Sequence, residues 1–510
     1  MLSRLGPVVK ASGMSRCMST FFQEPLNFIG GKRVLPTNRN SSEDFKVLDP
    51  STGHVLCETS SSGENDVDKA VASAKEAFKE WSETPALVRA RLLQKAALVL
   101  RENVEDFAMM EVMDNGKPIW EARLDIWTAV DALDYFGSLA PTLAGEHIKM
   151  PSGSFGYTIR EPLGVCGGIG AWNYPIQMAA WKSAPALACG NTMVFKPSPL
   201  TPVTAVMLAE LYTECGLPKG VFNVIQGQAE TGHLLCTHPD IAKVSFTGSV
   251  PTGTKIMQDC AVGIKPVTLE LGGKSPLIIF GDSDVDNAVK GAMLANFLSQ
   301  GQVCSNGTRV FVEKKIKDEF VEKLVARTEA MKLGDPSEDD TLVGATISHQ
   351  QMDKVLGYVE GAKKEGAKVL CGGDRVIPEN PKLSGGFFVR PCVLDNLNDG
   401  MTVVKEEVFG SVLGLLAFED EEEVIQRAND TKFGLAGGVF TRDLGRANRV
   451  ISRLEAGSCW INTFNICPAG LPFGGFKYSG LGRENGTVTI DHYTQLKSVY
   501  VEMNDLDVPF

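Results

Sequence analysis

LGVCGGIGAWNYPIQMAAWKSAPALACGNTMVFKPS, residues 163–198, decides the fold. Residues 163–170 are a short apolar run rich in glycine, as a buried strand would be. Residues 175–188 are apolar nearly all round and predict a buried helix, in spite of Pro185. Gly190 and Asn191 form a turn, and residues 192–196 (TMVFK) make a second short strand. Strand, helix and strand in this order predict a parallel βαβ unit, because the crossover helix carries the chain back to the edge from which it left. The alternation continues outward. Residues 202–215 read as a helix, and 222–225 and 241–247 as strands. Upstream, 67–81 and 85–107 read as amphipathic helices, followed by a turn at 114–118. A second series follows Gly272, with strands at 277–280 and 309–312, helices at 285–298 and 317–331, and loops at 334–340 and 379–386. Residues 495–503 alternate weakly and read as a last strand. The pattern is that of the α/β class.

The chain of 510 residues has room for about three domain-sized units. It is 43% hydrophobic and 22% charged, ordinary for a protein with a sizeable core. No apolar run reaches the ~18–20 residues of a membrane span, so no membrane partner is expected. The net charge of -12 argues against nucleic acid, since phosphate binding needs a basic face. Twelve cysteines are spaced irregularly without a CxxC pair, and the six histidines do not cluster with them, so no metal is expected. Free thiols in a reducing compartment are the default. The first residues carry Arg4, Lys10 and Arg16, several serines and no acid before Glu24. This composition is that of a mitochondrial transit segment, or of a plain N-terminal extension with Met14 or Met18 as alternative starts.

Several short segments carry chemistry. Cys304 sits in a Gly/Gln loop (QGQVC, 300–304) between a helix and a strand, where a thiol can be reached. Any one of twelve cysteines is more often inert and buried. Glu270 interrupts an apolar strand just before Gly272 and Gly273, where α/β sites form; burial would suit it to general-base work, and an ion pair is the alternative. Asn173, between a strand and a helix, can donate to a developing oxyanion or simply cap the helix. FTGSVPTG, 246–253, follows a strand and opens a helix, with Ser249 as its cap and Pro251, which has no N–H of its own, suited to the first turn, so the helix start spanning Gly248, Ser249, Val250, Pro251 and Thr252 would offer free N–H groups to a pyrophosphate, although GxGxxG is absent. Gly227 and Gly232 flank a similar turn. Lys196 closes its strand with a charge that could reach a ribose hydroxyl or solvent, and Glu406 and Glu407 could be a surface acid pair.

The order and spacing of these pieces resemble the aldehyde dehydrogenase superfamily from about Pro25 onward. The motifs are GAWNYP (170–175), MVFKPS (193–198), FTGS (246–249), LELGGKSP (269–276), QGQVCSNGTR (300–309), EEVFG (406–410) and PFGGFKYSGLGRE (472–484). The betaine aldehyde dehydrogenase-like group is the nearest resemblance within it. This implies a Rossmann-like NAD-binding domain (25–140 and 160–269), an α/β catalytic domain (270–478), and a small β oligomerisation element (141–159 and 479–510) after an extension at 1–24. It implies Cys304 as nucleophile, Glu270 as base and Asn173 as oxyanion donor beside the Cys304 N–H. Lys196 and Glu407 would hold the cofactor riboses, Phe409 would pack near the nicotinamide, Ile169 and Trp172 would line the channel, and Gly232 would lie beside it. The implied reaction is NAD-dependent oxidation of a small aldehyde (4-trimethylaminobutyraldehyde, aminobutyraldehyde or betaine aldehyde) through a thiohemiacetal and a thioester, as in a step of carnitine biosynthesis. A cytosolic homotetramer is implied, or a matrix enzyme if the extension is a transit peptide.

Three features depart from the family pattern. Ser411 stands where a proline often follows EEVFG, which should loosen the loop beside Glu407. Pro199 stands where many NAD-specific members carry a glutamate, so repulsion of a 2′-phosphate cannot be invoked here. The third is the basic extension itself. A quaternary ammonium end would need aromatic faces, for which Tyr174, Trp181 and Phe473 are candidates, with Asp125 as an anionic entrance. Transfer of the thioester to CoA, a broad-specificity dehydrogenase, or a silent binding protein on the same scaffold are the competing readings.

Overall fold

The alternating strands and helices of the described residues resolve into two large sheets, one three-stranded sheet and three two-stranded pairs. The computed structural model describes residues 26–37 and 44–510, so the basic extension at 1–24 lies outside the described residues. Among the described residues no helix is long and apolar enough to cross a membrane.

The first sheet has eight strands. Its parallel centre runs Phe222–Val224, Thr192–Lys196, Val165–Ile169, Ile241–Thr247, Val267–Glu270. In chain order these central strands read third, second, first, fourth, fifth. The chain therefore turns one way from Val165–Ile169 and then jumps to its other side. Such a reversal opens a crevice beyond the carboxyl ends of the two strands at the switch. The helix Pro175–Ala188 is the crossover, and Pro185 sits within it, fully buried.

The second sheet has seven strands, with Val412–Phe418, Arg309–Glu313, Pro276–Ile279, Ala436–Phe440 and Ser458–Ile461 parallel in that order. Both of its faces are covered. Ile278, Phe311, Leu416 and Val439 enter one apolar cluster, and Leu277, Val310, Leu415 and Phe440 enter another. The short link through Gly272 and Gly273 joins the end of Val267–Glu270 to the start of Pro276–Ile279. It brings the carboxyl ends of the first sheet up to the amino ends of the second.

The third sheet has three antiparallel strands, Thr494–Val501, Phe155–Pro162 and His147–Lys149. The expected division at 159 falls inside Phe155–Pro162, and Gly480–Leu481 pairs with Val267–Glu270 in the first sheet. The single helix expected over 85–107 is two, Ala86–Glu102 and Val104–Asn115. Asn103 leaves the helical region between them and donates its side-chain amide back to the carbonyl of Val99 at 2.7 Å. The second helix ends on Gly116, whose φ of +85° requires a residue without Cβ.

Candidate active site

The crevice at the switch point is a cleft of about 530 Å³. Cys304, Glu270, Asn173, Lys196, Gly248, Ser249, Thr252, Glu407, Phe409, Ile169, Trp172 and Gly232 all line it. Val250 and Pro251 do not. Val250 packs inward against the apolar core and Pro251 is exposed, because a helix start offers its backbone N–H groups, not its side chains, to whatever lies before it. Ser249 caps the helix Val250–Ala261, its hydroxyl accepting from the Thr252 N–H at 3.4 Å. Gln228, His233, Lys255, Gln351 and Lys354 also line the cleft, and no motif pointed to them; Ser198, the end of MVFKPS, lines it as well.

Asn173 does not cap its helix. The cap position is Tyr174, which makes no side-chain bond, and the Asn173 amide donates instead to the carbonyl of Gln302 at 2.8 Å. One of its two N–H groups is thereby used, two residues from Cys304, and the other is left over. Glu270 has no ion-pair geometry of its own: it is buried, and neither carboxylate oxygen has a hydrogen-bond partner among the described residues. Burial, and then the nearby Glu484, hold its carboxyl well above the ordinary range, with Lys182 and Arg483 opposing. Lys182 gives its protons to the Thr247 hydroxyl at 2.7 Å and to Glu484.

Of the described cysteines, Cys304, Cys459 and Cys467 alone escape full burial, and of these Cys304 lines the cleft. Desolvation, followed by the carboxyls of Glu407 and Glu270, pushes its thiol well up, and the Ser305 N–H opposes. The resting thiol is therefore protonated, and a base must accept its proton before it can attack.

Lys196 is not a solvated strand end. Its buried ammonium donates to the carbonyls of Gly227 at 2.6 Å and Pro197 at 3.1 Å, and burial lowers its pKa to about 8. Glu407 is likewise no surface acid, accepting from the Gly273 N–H at 3.0 Å. Its neighbour Phe409 has φ +59° and meets Trp172 edge-on at 5.2 Å. Gln351 donates to the Phe409 carbonyl at 2.8 Å, which secures that turn. The loosening expected from Ser411 is absent: the residue is buried and its carbonyl accepts from the Cys392 N–H at 2.8 Å. That backbone bond needs no proline to hold the loop.

Tyr174, Trp181 and Phe473 lie outside the cleft and together. Trp181, Phe473, Met178, Ala132, Leu435 and Ala436 form an apolar cluster against which Tyr174, Trp460, Cys467 and Cys304 pack. The Trp181 and Phe473 rings meet at 5.7 Å. Lys117 already places its ammonium 4.3 Å from the centre of the Tyr174 ring. Asp125 is not an entrance group; it is buried and bonded to Lys117. Burial of a carboxylate with its own cation removes it from solvent and from any ligand. Cys304 thus stands between the cleft and an aromatic cluster.

A sequence profile of the aldehyde dehydrogenase family matches residues 37–499. The chain belongs to the aldehyde dehydrogenase family. The 4-trimethylaminobutyraldehyde dehydrogenase of Homo sapiens is 60% identical over 487 residues, which span 96% of this chain and 98% of that protein. The 4-trimethylaminobutyraldehyde dehydrogenase A of Danio rerio is 59% identical, over 96% of each chain. Among solved structures, the NAD+ complex of an aldehyde dehydrogenase from Bacillus cereus has TM-score 0.92 at 40% identity, covering 96% of this chain and 99% of that one. Betaine aldehyde dehydrogenase from Staphylococcus aureus, in complex with NAD+, has TM-score 0.92 at 38% identity, covering 97% and 98%. The Rossmann-like sheet with a second α/β unit that the motifs implied is the fold these aldehyde dehydrogenases share.

Proposed function

We propose that this aldehyde dehydrogenase uses NAD to oxidise 4-trimethylaminobutyraldehyde, and with it aminobutyraldehyde and betaine aldehyde, to the carboxylic acid through a thiohemiacetal and a thioester on Cys304. The observation that carries the reading is the position of Cys304, which lines the cleft together with Glu270 and Asn173 and packs on the aromatic cluster from the other side.

The cleft fits a dinucleotide by its own features. The helix Val250–Ala261 opens onto it with first-turn N–H groups that have no intrahelical acceptor. Two charged groups of opposite sign, the buried Lys196 and the half-buried Glu407, stand in its wall, and a Cβ on Gly272 would come within 2.2 Å of the Glu407 carboxylate. Lys196 and Glu407 would hold the riboses, and Gly248, Ser249 and Thr252 the pyrophosphate. Ile169, Trp172 and Gly232 would line the channel, and Phe409 would flank the nicotinamide. NAD, when bound, supplies the acceptor for the hydride lost by the tetrahedral carbon.

The chain's own residues do the rest. Glu270 takes the Cys304 thiol proton and passes it to solvent, and the Cys304 sulfur attacks the aldehyde carbon. The spare N–H of Asn173 and the backbone N–H of Cys304 stabilise the oxygen that becomes negative. Glu270, ionised at the moment of need, takes a proton from water, and the resulting nucleophile opens the thioester. Splitting oxidation from hydrolysis replaces one difficult step by two easier ones. Burial of the aldehyde's cationic end among Tyr174, Trp181, Phe473 and Trp460 would draw on cation–π attraction of ~0.5–2 kcal/mol. We take 25–140 with 160–269 as the NAD-binding unit, 270–478 as the catalytic unit, and 141–159 with 479–510 as the assembly element of a cytosolic homotetramer. Import into the mitochondrial matrix is the alternative that the basic extension supports.

Steady-state kinetics with trimethylaminobutyraldehyde, aminobutyraldehyde, betaine aldehyde and a plain alkanal, each with NAD and NADP, tests the reading. The trimethylamino substrate with NAD should have the highest kcat/KM, and the product should be the acid. Equal efficiency across all four aldehydes removes the substrate assignment. Acyl-CoA formed in place of acid removes the hydrolytic step. A Cys304→Ala variant that still reduces NAD removes the mechanism.

A further inference from the structure

Glu121 lines neither the cleft nor the aromatic cluster, yet it is buried in the first turn of the helix Ile119–Leu139. One of its carboxylate oxygens accepts the Ser299 N–H at 2.8 Å, and the other has no partner among the described residues. Ser299 opens an unusual turn. Ser299 (φ +48°), Gln300 (φ +54°) and Gly301 (φ +72°) are all left-handed, and two of the three carry side chains. A non-glycine residue in that region costs of order 1–3 kcal/mol and persists only where its surroundings hold it.

The turn delivers the chain to Cys304. The Gln302 N–H closes it on the Ser299 carbonyl at 3.0 Å, and the Gln302 carbonyl accepts from Asn173 at 2.8 Å. The Asn173 carbonyl accepts from Lys117 at 2.8 Å, and Lys117 is bonded to Asp125, one helical turn beyond Glu121. A closed ring of buried bonds thus leaves the helix at Glu121, passes the nucleophile loop and the oxyanion donor, and returns to the same helix.

We propose that Glu121 is a positioning residue, whose carboxyl holds the left-handed turn Ser299, Gln300, Gly301 so that the Cys304 thiol and backbone N–H face the same point as the Asn173 amide. The proposal rests on the reading of Cys304 as nucleophile. Burial, opposed by the Ser299 N–H and by Lys117, raises the Glu121 pKa to about 8. At neutral pH the group is mostly the uncharged acid, so a glutamine amide is a close stand-in, with an oxygen that accepts the same N–H.

The test compares Glu121→Gln with Glu121→Met, which fills similar space without an acceptor. Activity with NAD and trimethylaminobutyraldehyde, thermal unfolding, and the rate of Cys304 alkylation by iodoacetamide without cofactor are measured for each, with Cys304→Ala as the blank. The Met variant should fold, lose on the order of 10²-fold in kcat and keep its KM for NAD within about twofold, with a clear change in alkylation rate. The Gln variant should stay within about threefold of the parent on every measure. A Met variant as active as the parent, a Gln variant as impaired as the Met variant, or a Met variant that fails to fold each overturns the proposal. An active Cys304→Ala would overturn the nucleophile reading instead, and the alkylation comparison reports the loop without any turnover.

Discussion

At the scale of single residues, the site is a set of polar groups left short of partners. The Asn173 amide gives one N–H to the Gln302 carbonyl and keeps one. Asn173→Ala should lower kcat by ~10²–10³, the usual cost of removing an oxyanion donor, with a smaller change in aldehyde KM. A loss in KM alone would show that the amide binds ground state and transition state alike. Glu270 makes a prediction in pH. Its carboxyl titrates well above the ordinary range in the folded protein, mainly because it is buried. The folded state therefore holds this proton more tightly than the unfolded chain, which titrates near ~4.3. The stability this confers is complete below that pH and is lost as pH rises through the folded pKa. A Glu270→Gln variant lacks the loss. Its melting temperature relative to the parent should climb steadily from mildly acid to alkaline pH, and a constant or shrinking gap would contradict the burial argument. The hydrolytic limb of the parent's kcat should rise over the same interval and be missing in the variant.

At the scale of elements, the decisive pieces were legible where local pattern and tertiary role agree. The run from 163 to 196 reads as strand, helix and strand because both strands are apolar on both faces and the crossover helix is buried. The break at Asn103 was not legible, since the apolar spacing continues across it and neither glycine nor proline marks the bend. Cys304, Glu270 and Asn173 were legible through their motifs. Glu121 was not, because it meets the Cys304 loop across 178 positions of chain and looks like any acid in a first helical turn. Val250 and Pro251 fall outside the cleft lining for a simpler reason: the motif marks a helix start, whose backbone can face the cleft while these two side chains turn away from it. The link between the sheets is the most demanding element. A methyl group on Gly272 would fall 2.2 Å from the Glu407 carboxylate, itself held by the Gly273 N–H. Gly272→Ala should displace Glu407 and weaken NAD binding by about tenfold, or ~1.4 kcal/mol, while alkylation of Cys304 stays near normal. Titration of NAD by tryptophan fluorescence reads this directly, and unchanged affinity would exclude Glu407 as a ribose partner.

At the scale of the whole molecule, the third sheet is the part that does least for the fold it belongs to. Thr494–Val501 pairs with Phe155–Pro162 along its full length, and its other edge has no strand beside it among the described residues. Its faces are not protected either: Leu496 is 58% and Tyr500 59% exposed, and both project from the same side of the strand. An exposed strand edge bearing apolar side chains is a template for pairing, and folded proteins tolerate one where another chain covers it. The carboxyl-terminal end is nevertheless held in place, Glu502 accepting from the Ser154 hydroxyl at 2.6 Å and Ser154 in turn from the Met503 N–H. A tethered sheet with an open edge and apolar residues outward is suited to a subunit contact. Leu496→Glu combined with Tyr500→Glu should therefore lower the mass seen by sedimentation equilibrium below that of the parent assembly, because four such carboxylates per pair of chains cannot be buried together. The separated subunits should still bind NAD, since Lys196, Gly248, Ser249, Thr252 and Glu407 line one cleft of the same chain. An unchanged mass would mean that the assembly, whatever its size, is made by some other face.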